Sequence, residues 1–336
     1  MGETNDAAGK IVVITGGSAG VGRATVDAFA RDGWNVGIIA RDSDRLMRVQ
    51  ADMQALGRKA CAIPADVADA DAVEHAAEAT EAELGPITVW VNNAMATAFS
   101  PVADLTPAEF RRGTEVTYLG QVHGTLAALK RMRPRNAGTI VNVGSALAYR
   151  AIPLQSVYCG AKFAVRGFTD SLRSELLHDG SSVHLTMVHL PALNTPQFDW
   201  ALNKLGRRPQ PVPPIFQPEV AARAILFAAT HKRREVWVGF PTVKAIVANM
   251  LAPGLLDRFL AGSGYSGQIT GEILPNGAPA NLYHPVAGPF GAHGRFDATA
   301  RSKSWEIWTS RHHGAVIGIG AAVLGLGVLG LLKRRP

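Results

Sequence analysis

Apolar residues fall along this chain in short unbroken runs, separated by longer stretches in which they recur every three to four positions. KIVVIT (10–15) predicts a first strand, followed by a glycine turn and a helix through Phe29. NVGIIA (35–40) predicts the second strand, AIPA (62–65) the end of the third, and ITVWVNNA (87–94) the fourth. GTIVNVGS (138–145), VHLTMVHL (183–190) and EVWVGF (235–240) predict the fifth, sixth and seventh. Strands that are apolar throughout, without alternation, belong to a sheet covered by helices on both faces. Strand–helix–strand repetition of this kind predicts an α/β fold built on a doubly wound parallel sheet.

The pattern changes after Leu260. Residues 262–298 are rich in Gly, Pro and Asn with little periodicity, and read as a linker or an irregular flap. Gly314 to Leu332 then form an uncharged run ending in KRRP. As a helix it would be about 28 Å long, close to the thickness of a bilayer's hydrocarbon core. Its ten Val, Ile and Leu residues favour insertion, its six glycines weaken the helix, and Trp305 and Trp308 stand where interfacial aromatics belong. A buried C-terminal helix of the fold is the alternative. The expected organisation is a polar tail (1–9), a catalytic domain (10–261), a linker or flap (262–304) and a membrane-anchor segment (305–336) ending in a transmembrane helix.

Charge sharpens this picture. Residues 301–336 contribute six basic side chains and one acid, so they hold +5 of the chain's formal +7. The remainder is nearly balanced, which argues against nucleic acid as a partner and for membrane lipid through the C-terminal segment. Cys61 and Cys159 make no disulfide framework, and the ten histidines show no metal-ligand spacing. The polar N-terminus lacks a secretory signal, so a cytoplasmic catalytic domain is expected.

Candidate chemistry begins at Thr15-Gly16-Gly17-Ser18-Ala19-Gly20-Val21-Gly22. Between a first strand and a first helix, such glycines let backbone N–H groups approach a pyrophosphate at the positive end of the helix. Farther on, Tyr158 and Lys162 lie four positions apart, hence on one helix face, and follow Ser145 at a strand end.

The TGxxxGxG spacing, with this serine, tyrosine and lysine, resembles the short-chain dehydrogenase/reductase family over residues 10–240. The resemblance implies a Rossmann-type fold and an oxidoreductase that moves a hydride between nicotinamide and a carbonyl or alcohol. It also implies dimers or tetramers, and hence a homo-oligomer, as common states. Tyr158 would be the acid/base, Ser145 would hydrogen-bond the substrate oxygen, and Lys162 would hold the nicotinamide ribose. A nearby Lys⁺ and the cofactor's positive ring would favour tyrosinate; lowering its pKa by about three units corresponds to roughly 4 kcal/mol.

An NAD-type site carries an acid at the end of strand two, where this chain has Ala40 followed by Arg41. Arg41, with Arg23 past the glycine turn, can pair with a 2′-phosphate, so NADP(H) is the expected cofactor. Asp66-Val67 resembles the pair that contacts adenine, and Asn92-Asn93-Ala94 the NNAG motif, with Met95 in place of its glycine. Pro191 to Thr195 resembles PG-x-x-T, with Ala192 in place of glycine and Thr195 placed to hold the carboxamide. The family's relay asparagine is replaced by Thr117, in Thr117-Tyr118-Leu119-Gly120. Thr117 is the candidate to take its place, or another group supplies the relay.

Leu147, Tyr149, Ile152, Leu154, Phe198, Trp200, Leu202, Ile215 and Phe216 suggest an apolar substrate pocket. With the anchor, they point to lipophilic carbonyls or alcohols drawn from a bilayer. A membrane-tethered NADP(H)-binding sensor or scaffold without turnover is the competing reading, permitted by Thr117, Met95 and Ala192.

Overall fold

The structure is a computed structural model and describes residues 9–304 apart from Asn276. Seven parallel strands form one sheet: β1 (Ile11–Thr15), β2 (Asn35–Ala40), β3 (Ala60–Pro64), β4 (Val89–Asn92), β5 (Thr139–Ser145), β6 (His184–Leu190) and β7 (Glu235–Trp237). Their order across the sheet is β3-β2-β1-β4-β5-β6-β7. The order reverses between β1 and β4, and this switch point opens the crevice where a ligand binds in such sheets.

The unbroken apolar runs are explained by the two cores. Val12 and Ile14 of β1 join a cluster with Phe29, Ile38 and Ile225 on one face. Ile11 and Val13 join Trp90, Met132 and Ile140 on the other. Alternate side chains of a strand point to opposite faces, so both sets are buried. Helices α1 (Gly20–Arg31) and α8 (Pro218–Thr230) cover the first face; α3 (Ala70–Leu84), α5 (Gly120–Arg135) and α6 (Ser156–His178) cover the second. The other helices are α2 (Ser43–Ala55), α4 (Pro107–Thr114) and the single turn α7 (Gln197–Trp200). A π-helical turn, Glu115–Leu119, joins α4 to α5 and carries Thr117.

The seventh strand ends at Trp237, three residues before the end of the apolar run that predicted it. Phe240 instead opens α9 (Phe240–Leu251), after Gly239 turns the chain at φ +81°. Helix α10 (Pro253–Ser263) folds back against α9 and has no buried residue.

Residues 262–304, expected to be a linker or flap, pack on the catalytic fold. Ile269–Ile273 pairs antiparallel with Arg207–Pro209. Leu282 is buried in the second core, and Arg301 bridges to Phe216. No helix among the described residues is long and apolar enough to cross a membrane. The apolar run 314–332 lies outside them.

Candidate functional site

A cavity of 730 Å³ runs along the carboxyl ends of β1, β4, β5 and β6. The glycine turn forms one end. Gly16 and Gly20 adopt φ of +69° and +56°. A Cβ on Gly22 would lie 2.0 Å from the Gly16 carbonyl oxygen, so only glycine closes this turn. Ala19, at the start of α1, offers no side-chain cap, and the first turn carries no acid. Apart from the Gly20 amide, which donates to the Gly291 carbonyl, the first turn has no side-chain cap or acid for its N–H groups, an arrangement that fits a diphosphate.

Gly16, Ser18, Gly20 and Val21 line the cavity; Thr15 and Gly22 shape the turn from behind. The Thr15 hydroxyl accepts from the amides of Asn93 and Ala94, and Asn93 Nδ2 donates to the Thr15 carbonyl at 3.0 Å. Asn92 is fully buried, linking Trp90, Thr125 and Asn142. The motif thus locks β1 to β4 beneath the cavity, whose wall includes Asn93, Ala94 and Met95.

At the adenosine end, Arg41, Asp66 and Val67 all face the cavity. Asp66 is paired with Arg112 and lies 4.0 Å from Arg41. Arg23 is placed differently from the expectation that it would help bind a phosphate. It pairs with Asp27 and Asp52, at 3.1 and 2.8 Å, and is not part of the cavity wall. Those carboxylates already neutralise it.

At the other end stand Ser145, Tyr158 and Lys162. Ser145 closes β5, and its Oγ accepts from the Leu147 amide at 3.1 Å while hydrogen-bonding Tyr158. Tyr158 and Lys162 share one face of α6, with Lys162 Nζ 5.5 Å from the Tyr158 ring centre. Lys162 is 1% exposed and donates to the Val143 carbonyl at 2.7 Å. Burial pushes its amine down to about 7. Burial also raises the Tyr158 phenol, partly offset by the Ser145 hydrogen bond. Desolvation disfavours both charged forms, whereas the lowering expected above draws on a charged lysine and the cofactor's positive ring together.

Thr117 is fully buried, and its hydroxyl is engaged twice by Ala96, donating to the carbonyl at 2.8 Å and accepting from the amide at 2.9 Å. It does not line the cavity. Thr195 does, at the end of the loop after β6.

Of the residues read as a substrate pocket, Leu147, Ile152, Phe198 and Trp200 line the cavity. Tyr149, Leu154, Ile215 and Phe216 are packing residues outside its wall, and Leu202 lies in the short strand Leu202–Asn203. Tyr149 bonds Glu235 at 2.5 Å. Glu235 in turn lies 3.5 Å from buried His189, behind Ser145.

Sequence reasoning missed a strap. Residues 281–301 cross the cavity mouth from the adenosine end to the loop after β6. Arg41 donates to the carbonyls of Asn281 and Tyr283, Arg112 to that of Leu282, and Arg45 to that of Val286. Gly20, in the glycine turn, donates its amide to the Gly291 carbonyl at 3.0 Å. Phe290 packs edge-on against Trp200, and Arg45 lies over both rings. Asn194 accepts from the Phe296 amide and donates to Asp297. Asn281, Pro285 and Val286 thereby become cavity wall. Most of these bonds end on strap carbonyls, which leave no mark in a sequence.

Comparison with known proteins agrees with this architecture. A profile described as short chain dehydrogenase matches residues 10–203. The chain is 34% identical over 253 residues to the uncharacterized oxidoreductase YxnA of Bacillus subtilis, covering 75% of this chain and 71% of that one. It is 33% identical over 260 residues to the putative oxidoreductase SadH of Mycobacterium tuberculosis, covering 75% and 94%. The structure superposes on an alcohol dehydrogenase of Thermococcus sibiricus solved with 5-hydroxy-NADP, with a TM-score of 0.59 and 26% identity, over 68% of this chain and 95% of the other. The chain belongs to the short-chain dehydrogenase family, whose members use a nicotinamide cofactor.

Proposed function

We propose that this protein is an NADP(H)-dependent carbonyl reductase or alcohol dehydrogenase acting on lipophilic substrates at a membrane. The observation that carries the catalytic part is the convergence of Ser145, Tyr158 and Lys162 at one end of a cavity whose other end is the glycine turn. When bound, the nicotinamide supplies or accepts the hydride. The protein's own residues handle the proton. The Tyr158 hydroxyl is the donor to a carbonyl oxygen, and its raised pKa keeps it protonated and ready to give. Ser145, held by the Leu147 amide, hydrogen-bonds the same oxygen and stabilises its developing charge. Lys162 returns a proton to Tyr158 when charged.

This arrangement sets a pH dependence. Lys162, near 7, is charged below that pH and neutral above it. Turnover in the direction of reduction is expected to fall as pH rises through about 7, and alcohol oxidation to rise. A pH profile of kcat in both directions checks this; parallel profiles would contradict it.

The NADP(H) reading rests on Arg41, positive at the adenosine end with no acid at position 40. Charge-assisted hydrogen bonds contribute about 1.5–3 kcal/mol. Arg41→Ala is therefore expected to weaken NADPH by about 10- to 100-fold more than NADH, since any loss through the strap carbonyls it holds falls on both cofactors. Equal losses for both cofactors would remove Arg41 from that role.

The lipophilic substrate rests on the far wall. Pro241, Ala245, Phe259 and Leu260 of α9 and α10 face the cavity. The outer side of the same pair exposes Phe240, Met250, Leu251 and Leu255, each over 60% accessible. An apolar mouth beside an apolar surface suits substrate leaving a bilayer, with the 314–332 run as the anchor. With carbonyl substrates of increasing chain length, kcat/KM is expected to rise about fourfold per methylene until the cavity is filled, from about 0.8 kcal/mol for each buried CH₂. A flat series, or preference for small polar carbonyls, would refute the lipophilic reading.

A further inference from the structure

Gln121 lies on α5 one helical turn beyond Thr117 and is 1% exposed. Its Nε2 donates to the Val143 carbonyl at 3.1 Å. This is the carbonyl that accepts from Lys162 Nζ at 2.7 Å, so the two side chains meet at one atom. The other end of the amide is anomalous. Gln121 Oε1 is buried and has no hydrogen-bond partner among the described residues. Buried polar atoms are nearly always paired, and an orphan of this kind calls for a reason.

Lys162 supplies the complement. Its terminal nitrogen carries at least two hydrogens, three when charged, and donates one of them to Val143. It is also sealed from solvent, so a proton leaving or reaching it needs a polar path through the protein. The Thr117 hydroxyl donates to and accepts from Ala96, which commits its single proton and one of its two lone pairs away from Lys162.

We infer that Gln121 is a positioning residue for Lys162: its Oε1 accepts through one water that Nζ donates to, and holds the lysine in proton exchange with Tyr158. The inference rests on the catalytic reading proposed above. The titratable neighbours on α6 are Tyr158 and, beside it, Cys159, while β5 and α5 face Lys162 with the neutral Ser145 and Gln121. No charged side chain contributes to its shift.

Two substitutions separate this role from simple packing. Gln121→Met removes both polar ends, whereas Gln121→Glu keeps an acceptor and loses the donor to Val143. If Gln121 only pins α5 to β5, Gln121→Met leaves the limb in place, and Gln121→Glu moves it by charge alone. If it serves Lys162, the falling limb of the reduction profile moves to lower pH in Gln121→Met and to higher pH in Gln121→Glu, where a carboxylate favours the charged amine. Gln121→Met should also lose about tenfold in kcat, less than the ~10²- to 10⁴-fold of a group that itself transfers the proton. NADPH affinity, read by nucleotide fluorescence, should stay within about twofold of wild type, since the effect acts on proton transfer.

A melting temperature for each variant shows that the fold is retained. Should Gln121→Met not fold, Gln121→Ala takes its place, and a limb moved to lower pH is again the expected result. A limb that this variant leaves unshifted or moves to higher pH, with Tyr158→Phe inactive, would overturn the role of Gln121 and leave the catalytic reading standing. An active Tyr158→Phe would overturn both.

Discussion

Tyr158→Phe is expected to lower carbonyl reduction by about 10²- to 10⁴-fold, the contribution of a positioned acid–base group. The substitution removes only the hydroxyl that hydrogen-bonds Ser145 and sits on the same helix face as Lys162. The ring still packs on α6, and the glycine turn at the far end of the cavity is untouched. NADPH affinity should therefore change by less than about twofold, so the loss appears in kcat and not in cofactor binding. Steady-state rates combined with NADPH fluorescence titration measure both. Retained turnover would require another proton donor, and the cavity wall provides no other tyrosine. A parallel loss of NADPH binding would mean that the residue holds cofactor more than it moves protons.

The second large effect concerns the strap. A Cβ at Gly294 would lie 2.5 Å from the Thr195 carbonyl oxygen, a backbone atom that cannot turn aside. Gly294→Val should therefore lift the strap from the loop after β6, at a cost of about 1–3 kcal/mol for overpacking. In its closed state the strap supplies cavity wall at Asn281, Pro285 and Val286 and accepts from the glycine-turn amide of Gly20. On the cofactor reading proposed above, a nucleotide in the cavity would lie beneath these contacts. Destabilising closure by that amount corresponds to NADPH dissociating about 5- to 150-fold faster. Stopped-flow fluorescence reports the rate, and hydrogen exchange of the 281–297 amides reports the strap. Faster exchange with an unchanged NADPH dissociation rate would show that the strap is ornament to the cofactor site.

The strap also marks the limit of what the residues reveal in advance. The seven strands were legible because a sheet covered on both faces demands runs such as IVVIT and NVGIIA. The glycine turn, Ser145, Tyr158 and Lys162 were legible because phosphate binding and proton transfer each need particular residues at particular spacings. Residues 281–301 carry no such signal. They are held by arginines of α2, α4 and the end of β2 reaching main-chain carbonyls, and a carbonyl is the same in every residue. Trp200, read as substrate pocket, lines the cavity and also packs on Phe290 of the strap.

Two further departures are energetic. EVWVGF was apolar enough for a strand throughout, but an apolar run does not distinguish a strand's end from the start of a helix whose face is buried. The acidity expected of Tyr158 draws on its neighbours' charges; burial, a property of the assembled fold, acts on it in the opposite direction. Thr117 shows the same dependence on context: its hydroxyl suits a relay on paper, and the backbone of Ala96 takes its single proton and one of its two lone pairs.

The central claim is that the cavity carries out hydride transfer and does not merely bind a nucleotide. The most direct test is to incubate the full-length protein in detergent with NADPH and a panel of long-chain aldehydes and ketones, then quantify alcohol and NADP⁺ together. The account predicts alcohol and NADP⁺ formed in equal amounts with at least one apolar carbonyl. Saturable NADPH binding with no alcohol from any member of the panel would contradict it and favour a membrane-tethered nucleotide sensor.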